Sequence, residues 1–276
     1  MGLDKKVLEQ KQIEYNQKRT KEQRQLVLLS IAGICTFLLV WQIASVTGLV
    51  DRTRLPAPTD IFSTIIYKIS NKNPDGNYLG VNILASLQVA LSGFLIAIVV
   101  GVPLGWFMGW WHNADKYLRP IFELIRPIPP IAWIPIVVVW MGVGLKAKAL
   151  IIFFTAFVPC VINSYTGIKL TNQTLIDVSK TFGASHWTIF WRVGIPSSLP
   201  MVFSGIRIAL GNSWSTLVAA EMLAATAGLG YMIQYGRTVA RPDIVIAGMI
   251  VIGAIGAGLS LLLSFAERYF LKWRMD

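Results

Sequence analysis

Acidic residues are scarce in this chain, with 14 Asp and Glu against 25 Lys and Arg in 276 residues. Histidine and cysteine occur only twice each. His112 and His186 form no H-E-x-x-H pair, so a zinc-dependent membrane protease is unsupported. Cys35 and Cys160 have neither metal-ligand spacing nor a disulfide framework. Both fall in apolar runs and read as small buried residues. There is no G-x-S-x-G elbow, which removes the serine-hydrolase pattern. There is no G-x-x-x-x-G-K-[ST], so ATP cannot be held by a P-loop in this chain. Glu123 and Glu221 sit near the ends of apolar stretches, which argues against a proton relay through a membrane.

What is abundant is apolar length. The chain is 54% hydrophobic, and its mean hydropathy is +0.58. Residues 25–50, 76–114, 127–145, 149–168 and 244–266 contain no Asp, Glu, Lys or Arg, and 193–220 contain only Arg207. Each run is near or above the roughly 20 residues that span a bilayer as a helix. Six spans are predicted, near 26–49, 82–111, 127–141, 149–168, 199–220 and 244–266. The fold class is therefore all-α and polytopic. The organisation read from composition is a polar tail at 1–25, a first transmembrane helix at 26–50, an external segment at 51–78 and a core at 79–270. The first run is too long for a signal-peptide core, and no small-residue cleavage site follows it.

The net charge of +11 is spread over the flanks of the spans. With the N-terminus inside, inner segments carry 16 Lys and Arg, including Lys272 and Arg274, and outer segments carry eight. That asymmetry predicts that both termini are cytoplasmic. It does not form a nucleic-acid surface; its partner is membrane lipid. The basic tail reads as a topology anchor, with a docking arm as the alternative.

One charged and aromatic island interrupts the apolar sequence, DVSKTFGASHWTIFWRVGIP at 177–196. Gly183 is expected to break it into two short helices, with Ser185 capping the second. Phe182, Trp187, Phe190 and Trp191 give it an apolar side too large for water alone. This stretch resembles the cytoplasmic loop of bacterial ATP-binding-cassette importer permeases: E-A-A, three residues, Gly, nine residues, I-x-L-P. Asp177, Val178 and Ser179 occupy the first three positions, Gly183 the glycine, and Val193-Gly194-Ile195-Pro196 the end. The first three positions depart from the family pattern. Further along, RPIPPIAWIP at 126–135 is similar to the taurine and sulfonate branch of the nitrate/sulfonate/bicarbonate permeases. Leu55, Pro56, Pro58 and Ile61 fit LPxPxxI, and Gly205, Arg207, Ala209, Leu210, Gly211 and Trp214 fit GxRxALGxxW.

The resemblance implies a type I importer permease fold with a coupling loop at 171–196 and ATPase-coupling roles for Asp177, Lys180, Phe182, Gly183, Ala184, Ser185 and Trp187. It implies two permease copies and two separate ATP-binding cassette ATPase subunits, which bind the ATP and Mg. It also implies an external solute-binding protein and a place in the bacterial inner membrane. The chain itself would hold no cofactor and would carry no ATPase activity. The solute would be a small anion, sulfonate- or taurine-like first, with nitrate, bicarbonate or an aromatic acid as alternatives. The rival class is a stand-alone secondary transporter or channel.

Three further features bear on the path. Arg207, Gly211 and Ser215 share a helix face, with Asn212 and Thr216 beside it. With Trp133 they are the candidate translocation residues. An unpaired Arg207 at the bilayer centre costs about 2.5–3.5 kcal/mol or more. It must snorkel, pair or face water. Glu221 lies about 21 Å away along the helix, and Glu123 is a candidate partner. The four prolines from Pro127 to Pro135 read equally as a broken helix lining a path or as a helix start at the inner interface. Gly101, Gly105 and Gly109, at four-residue spacing, read as a helix-packing stripe.

Overall fold

The computed structural model describes residues 2–271; for 2–18, 20, 23, 223 and 224 it describes the backbone. Lys272 and Arg274 lie outside the described residues. The chain forms two compact units, Met1–Ser63 and Thr64–Asp276.

The first unit is dominated by α1 (Gly2–Val46). The polar tail and first span are one helix with no break between them, so the boundary near 25 is one of composition. Residues 24–46 have a mean hydropathy of 2.3, and none of the apolar window is buried. Such a surface needs lipid. Cys35 is exposed on it, against expectation. Beyond α1 the chain folds back: Trp41 Nε1 donates to the Pro56 carbonyl (3.2 Å) and Ser45 Oγ to the Leu55 carbonyl (2.9 Å). α2 (Pro58–Ser70) starts at Pro58, because proline suits a first turn.

The core of the second unit is three long helices, α3 (Leu79–Trp110), α6 (Leu145–Lys169) and α9 (Ile195–Ala224). They bury Ala97, Ile152, Ala156, Cys160 and Ala209. The glycine stripe of α3 faces α6. A Cβ on Gly101 would lie 3.0 Å from the Cys160 Cβ, and one on Gly105 would lie 2.8 Å from the Ser164 Cβ. A Cβ on Gly109 would strike Ile168. The stripe is therefore packing. α11 (Pro242–Phe270) joins α9 through Trp214, whose indole donates to the Ile252 carbonyl at 3.0 Å and lies over Gly256. Gly253 and Gly258 of α11, by contrast, face open space.

The third predicted span is not one straight helix. α4 (His112–Ile125) leads into a 3₁₀ turn (Pro130–Trp133) and α5 (Ile134–Met141), and the two parts meet at 79°. The prolines between them remove donors that a continuous helix would need. Among the described residues, five helices are long and apolar enough to cross a membrane, or up to six if this bent pair counts as one. A short helix for which the sequence raised no expectation, α10 (Leu229–Thr238), precedes α11.

Candidate functional site

Two places gather the residues singled out above. The first is the elbow between α6 and α9. Asn172 caps α7 (Gln173–Thr181), its side chain accepting from the Thr174 N–H at 2.9 Å. Asp177 accepts from Gln173 Nε2 at 3.0 Å and lies 3.7 Å from the Lys180 ammonium. α7 ends in a Schellman turn: Gly183 N donates to the Lys180 carbonyl (2.8 Å) and Ala184 N to the Ser179 carbonyl (3.0 Å). Gly183 has φ +76°, where a residue with a Cβ is strained. Ser185 then caps α8 (His186–Ile189), accepting from Thr188 N at 3.2 Å. A π-helical turn (Phe190–Gly194) carries the chain into α9. The break at Gly183 and the Ser185 cap are as the sequence predicts.

The elbow divides its aromatics. Phe190 is buried, 4.8 Å from Trp111 and 5.5 Å from Trp110, ring centre to ring centre. Trp187 lies 5.5 Å from Trp111, and Trp110 Nε1 donates to His186 Nδ1 at 3.1 Å. These contacts fasten the elbow to the end of α3. Phe182 is left 85% exposed, with Leu175 and Val178 also exposed on α7. Trp187 thus packs on Trp111 and is half-exposed, whereas Phe182 stands free.

The second place is a cavity of about 490 Å³ between α3, α4, the proline-rich turn, α6 and α9. Trp133, Asn212, Ser215 and Thr216 all line it. Gly211 and Arg207 do not. Trp133 stacks on Phe154 at 5.0 Å and 23°. The Ser215 hydroxyl is turned to the Gly211 carbonyl at 3.1 Å. Arg126 is the one charged residue of the lining. Arg126 entered the sequence reading only as part of a proline-rich motif; its charge beside a run of prolines is the signal that could have marked it.

Arg207 is paired, one of the options expected for it, but its partner is not Glu123. It pairs with Glu267 near the end of α11, and Glu123 pairs instead with Arg119, one turn away at 3.1 Å. Glu267 is the first charge after the run at 244–266, so it read as flank rather than as a partner. Arg207 is about half-exposed, and its pair holds two helices together rather than facing the cavity.

A buried polar network at the α10 end was not visible in sequence. The Lys68 ammonium pairs with Asp75 and donates to the Asn77 carbonyl at 2.6 Å. Asn82 donates to Asp75 at 2.7 Å and accepts from Gly228 N at 3.1 Å. Glu221 accepts from Ser86 Oγ at 2.8 Å and from Gly230 N at 2.9 Å. Among the described residues there is no group of His, Cys, Asp and Glu able to hold a metal ion.

Comparison with known proteins fits this geometry. Residues 101–275 match the family described as binding-protein-dependent transport system inner membrane component. The taurine transport system permease protein of Escherichia coli K12 is 35% identical over 247 residues, covering 90% of this chain and 90% of that protein. The bicarbonate transport system permease protein of Synechococcus elongatus is 31% identical over 262 residues, covering 92% of this chain and 93% of that one. A structure of the MetNI methionine ABC transporter in an inward-facing conformation superposes with a TM-score of 0.58 at 19% identity, covering 69% of this chain and 93% of that one. That similarity establishes the fold. With a match over more than half its length and relatives above 30% identity across nearly all of it, this chain belongs to the binding-protein-dependent transport system inner membrane component family, as an ABC importer permease subunit.

Proposed function

We propose that this permease carries a small anionic solute across the bacterial inner membrane and takes its driving energy from a separate ATPase docked on the elbow at 171–196. The observation that carries this is the form of the elbow. Two capped short helices flank Gly183, and Phe182 is 85% exposed on a segment fastened to α3 and continuous with α9. An apolar side chain that free is stabilised by burial in a partner groove. Asp177, Lys180, Ala184 and Ser185 would frame that contact, and Trp187 would transmit it to Trp111.

The taurine and bicarbonate transport relatives favour an anion, with a sulfonate such as taurine first. The cavity lined by Trp133, Asn212, Ser215 and Thr216 is read as part of the path. Two permease copies would complete that path, and an external binding protein would deliver the solute. ATP and Mg would be held by the ATPase, and both termini would be cytoplasmic.

The test is purification of the tagged permease from its host. A cassette ATPase should co-purify, and substitution of Gly183 by Pro should abolish substrate-stimulated ATP turnover while the chain remains inserted. Proline fixes φ near −65°, incompatible with +76°. Uptake by the chain alone in liposomes, or unchanged turnover in the Gly183 variant, would refute the assignment.

A further inference from the structure

We infer that the cavity between α3, α4, α6 and α9 is a binding site inside the permease for an organic anion with an apolar, ring-sized body, and that Arg126 reads the charged head. This deepens the proposed path and rests on that reading. Three observations carry it. The first is size. At about 490 Å³ the space falls in the range of about 300–1,000 Å³ that holds organic ligands. A four-atom oxyanion would fill only about two waters' share of it, near 60 Å³.

The second is charge. Arg126 is the single ionisable residue of the lining, and no carboxylate lines it. Among the described residues the guanidinium has no ion-pair or hydrogen-bond partner. A planar cation with five free donors suits a carboxylate or sulfonate head. The Asn212 amide likewise makes no hydrogen bond within the described chain.

The third is the wall. Trp133 and Phe154 stack, and Phe122 meets Phe157 edge-on at 6.3 Å. All four line the cavity. A small, strongly hydrated anion placed against such a wall loses water without replacement. An apolar body gains from the same burial and from ring contact. This geometry selects organic anions over bicarbonate, and ring-bearing ones over short polar ones such as taurine, so it reorders the solutes that the relatives' names suggest.

The experiment uses the full chain in nanodiscs of phosphatidylethanolamine and phosphatidylglycerol, with radiolabelled benzenesulfonate as probe. Saturable binding is expected, undiminished by a hundredfold excess of bicarbonate. Arg126→Gln should weaken it about tenfold or more, the loss of a charge-assisted contact, and Arg126→Lys should restore part. Trp133→Ala should weaken it too. Arg126 is exposed and free, so its variants should elute as the parent does. Should Trp133→Ala fail to fold, Asn212→Leu replaces it. Displacement by bicarbonate at equal concentration, equal competition by neutral benzyl alcohol, or unchanged binding in Arg126→Gln would overturn the inference. In those outcomes the ATPase contact at Gly183 stands on its own. Weakened binding with normal ATPase-driven uptake would support the site and remove it from the path.

Discussion

At the α10 end of the core, Lys68, Asp75, Asn82, Ser86 and Glu221 are each no more than 5% exposed and satisfy one another through short hydrogen bonds. At the elbow end, Phe182, Trp187 and Trp191 are 85%, 57% and 54% exposed. This network is closed on itself. Buried charge and amide are tolerable in it only because each of these five side chains has a partner. The second end is open, since its caps and turn fix the backbone but its apolar side chains lack cover. The difference separates a network closed on itself from an exposed apolar surface, the one proposed above to meet the ATPase.

The largest effect should come from breaking the closed end. Asp75→Ala strands the fully buried Lys68 ammonium and should cost about 3–5 kcal/mol. Unfolding of the purified chain in mixed detergent micelles would measure it. Replacing both partners by Met and Leu should recover much of the loss, because no charge is then left unpaired. Equal instability in the single and double variants would mean that the network does not hold this end together.

Next in size is the α3 stripe. Gly105→Val would push a branched side chain into Ser164 and the α6 backbone and should cost about 1–3 kcal/mol. Gly253→Val, where nothing lies within 4 Å, should cost far less. The pair of variants tests whether glycine spacing or glycine contact matters. A smaller loss is expected from Arg207→Gln. Its pair with Glu267 is half-exposed, so about 0–1 kcal/mol is the range for such bridges. If Arg207 touched solute instead, uptake would fall while stability held.

The sequence carried the class, the spans other than the third and the elbow because each follows from local chemistry. Charge-free runs of bilayer length, the Gly183 break and the Ser185 cap need no knowledge of neighbours. The stripe at Gly101, Gly105 and Gly109 was legible for the same reason, one face of one helix. What escaped depends on residues far apart in the chain. Ser86 and Glu221 are 135 positions apart, and Arg207 and Glu267 are 60 apart. The prolines at 127–135 read equally as a broken helix or as a helix start, and neither reading showed that a cavity opens beside Trp133 and Asn212. α10 was missed because the glycines at 228 and 230 look like turn residues, whereas their N–H groups serve Asn82 and Glu221.

The smallest effect on stability should accompany the sharpest effect on assembly. Phe182 is the most exposed large apolar side chain of the elbow and buries almost nothing within the chain. Phe182→Ser should therefore leave unfolding within about 0.5 kcal/mol of the parent, as surface changes do. Its ring is the apolar anchor that the proposed ATPase groove would take, and anchors of this kind cost about 2 kcal/mol or more when truncated. Co-purification of the ATPase should fall about thirtyfold. Phe190→Ser reverses the pattern, because Phe190 is buried against Trp110 and Trp111; it should destabilise the chain first and weaken assembly only as a consequence. Were both variants to lose ATPase and stability together, the elbow would be ordinary core, and the contrast between the two ends would fail.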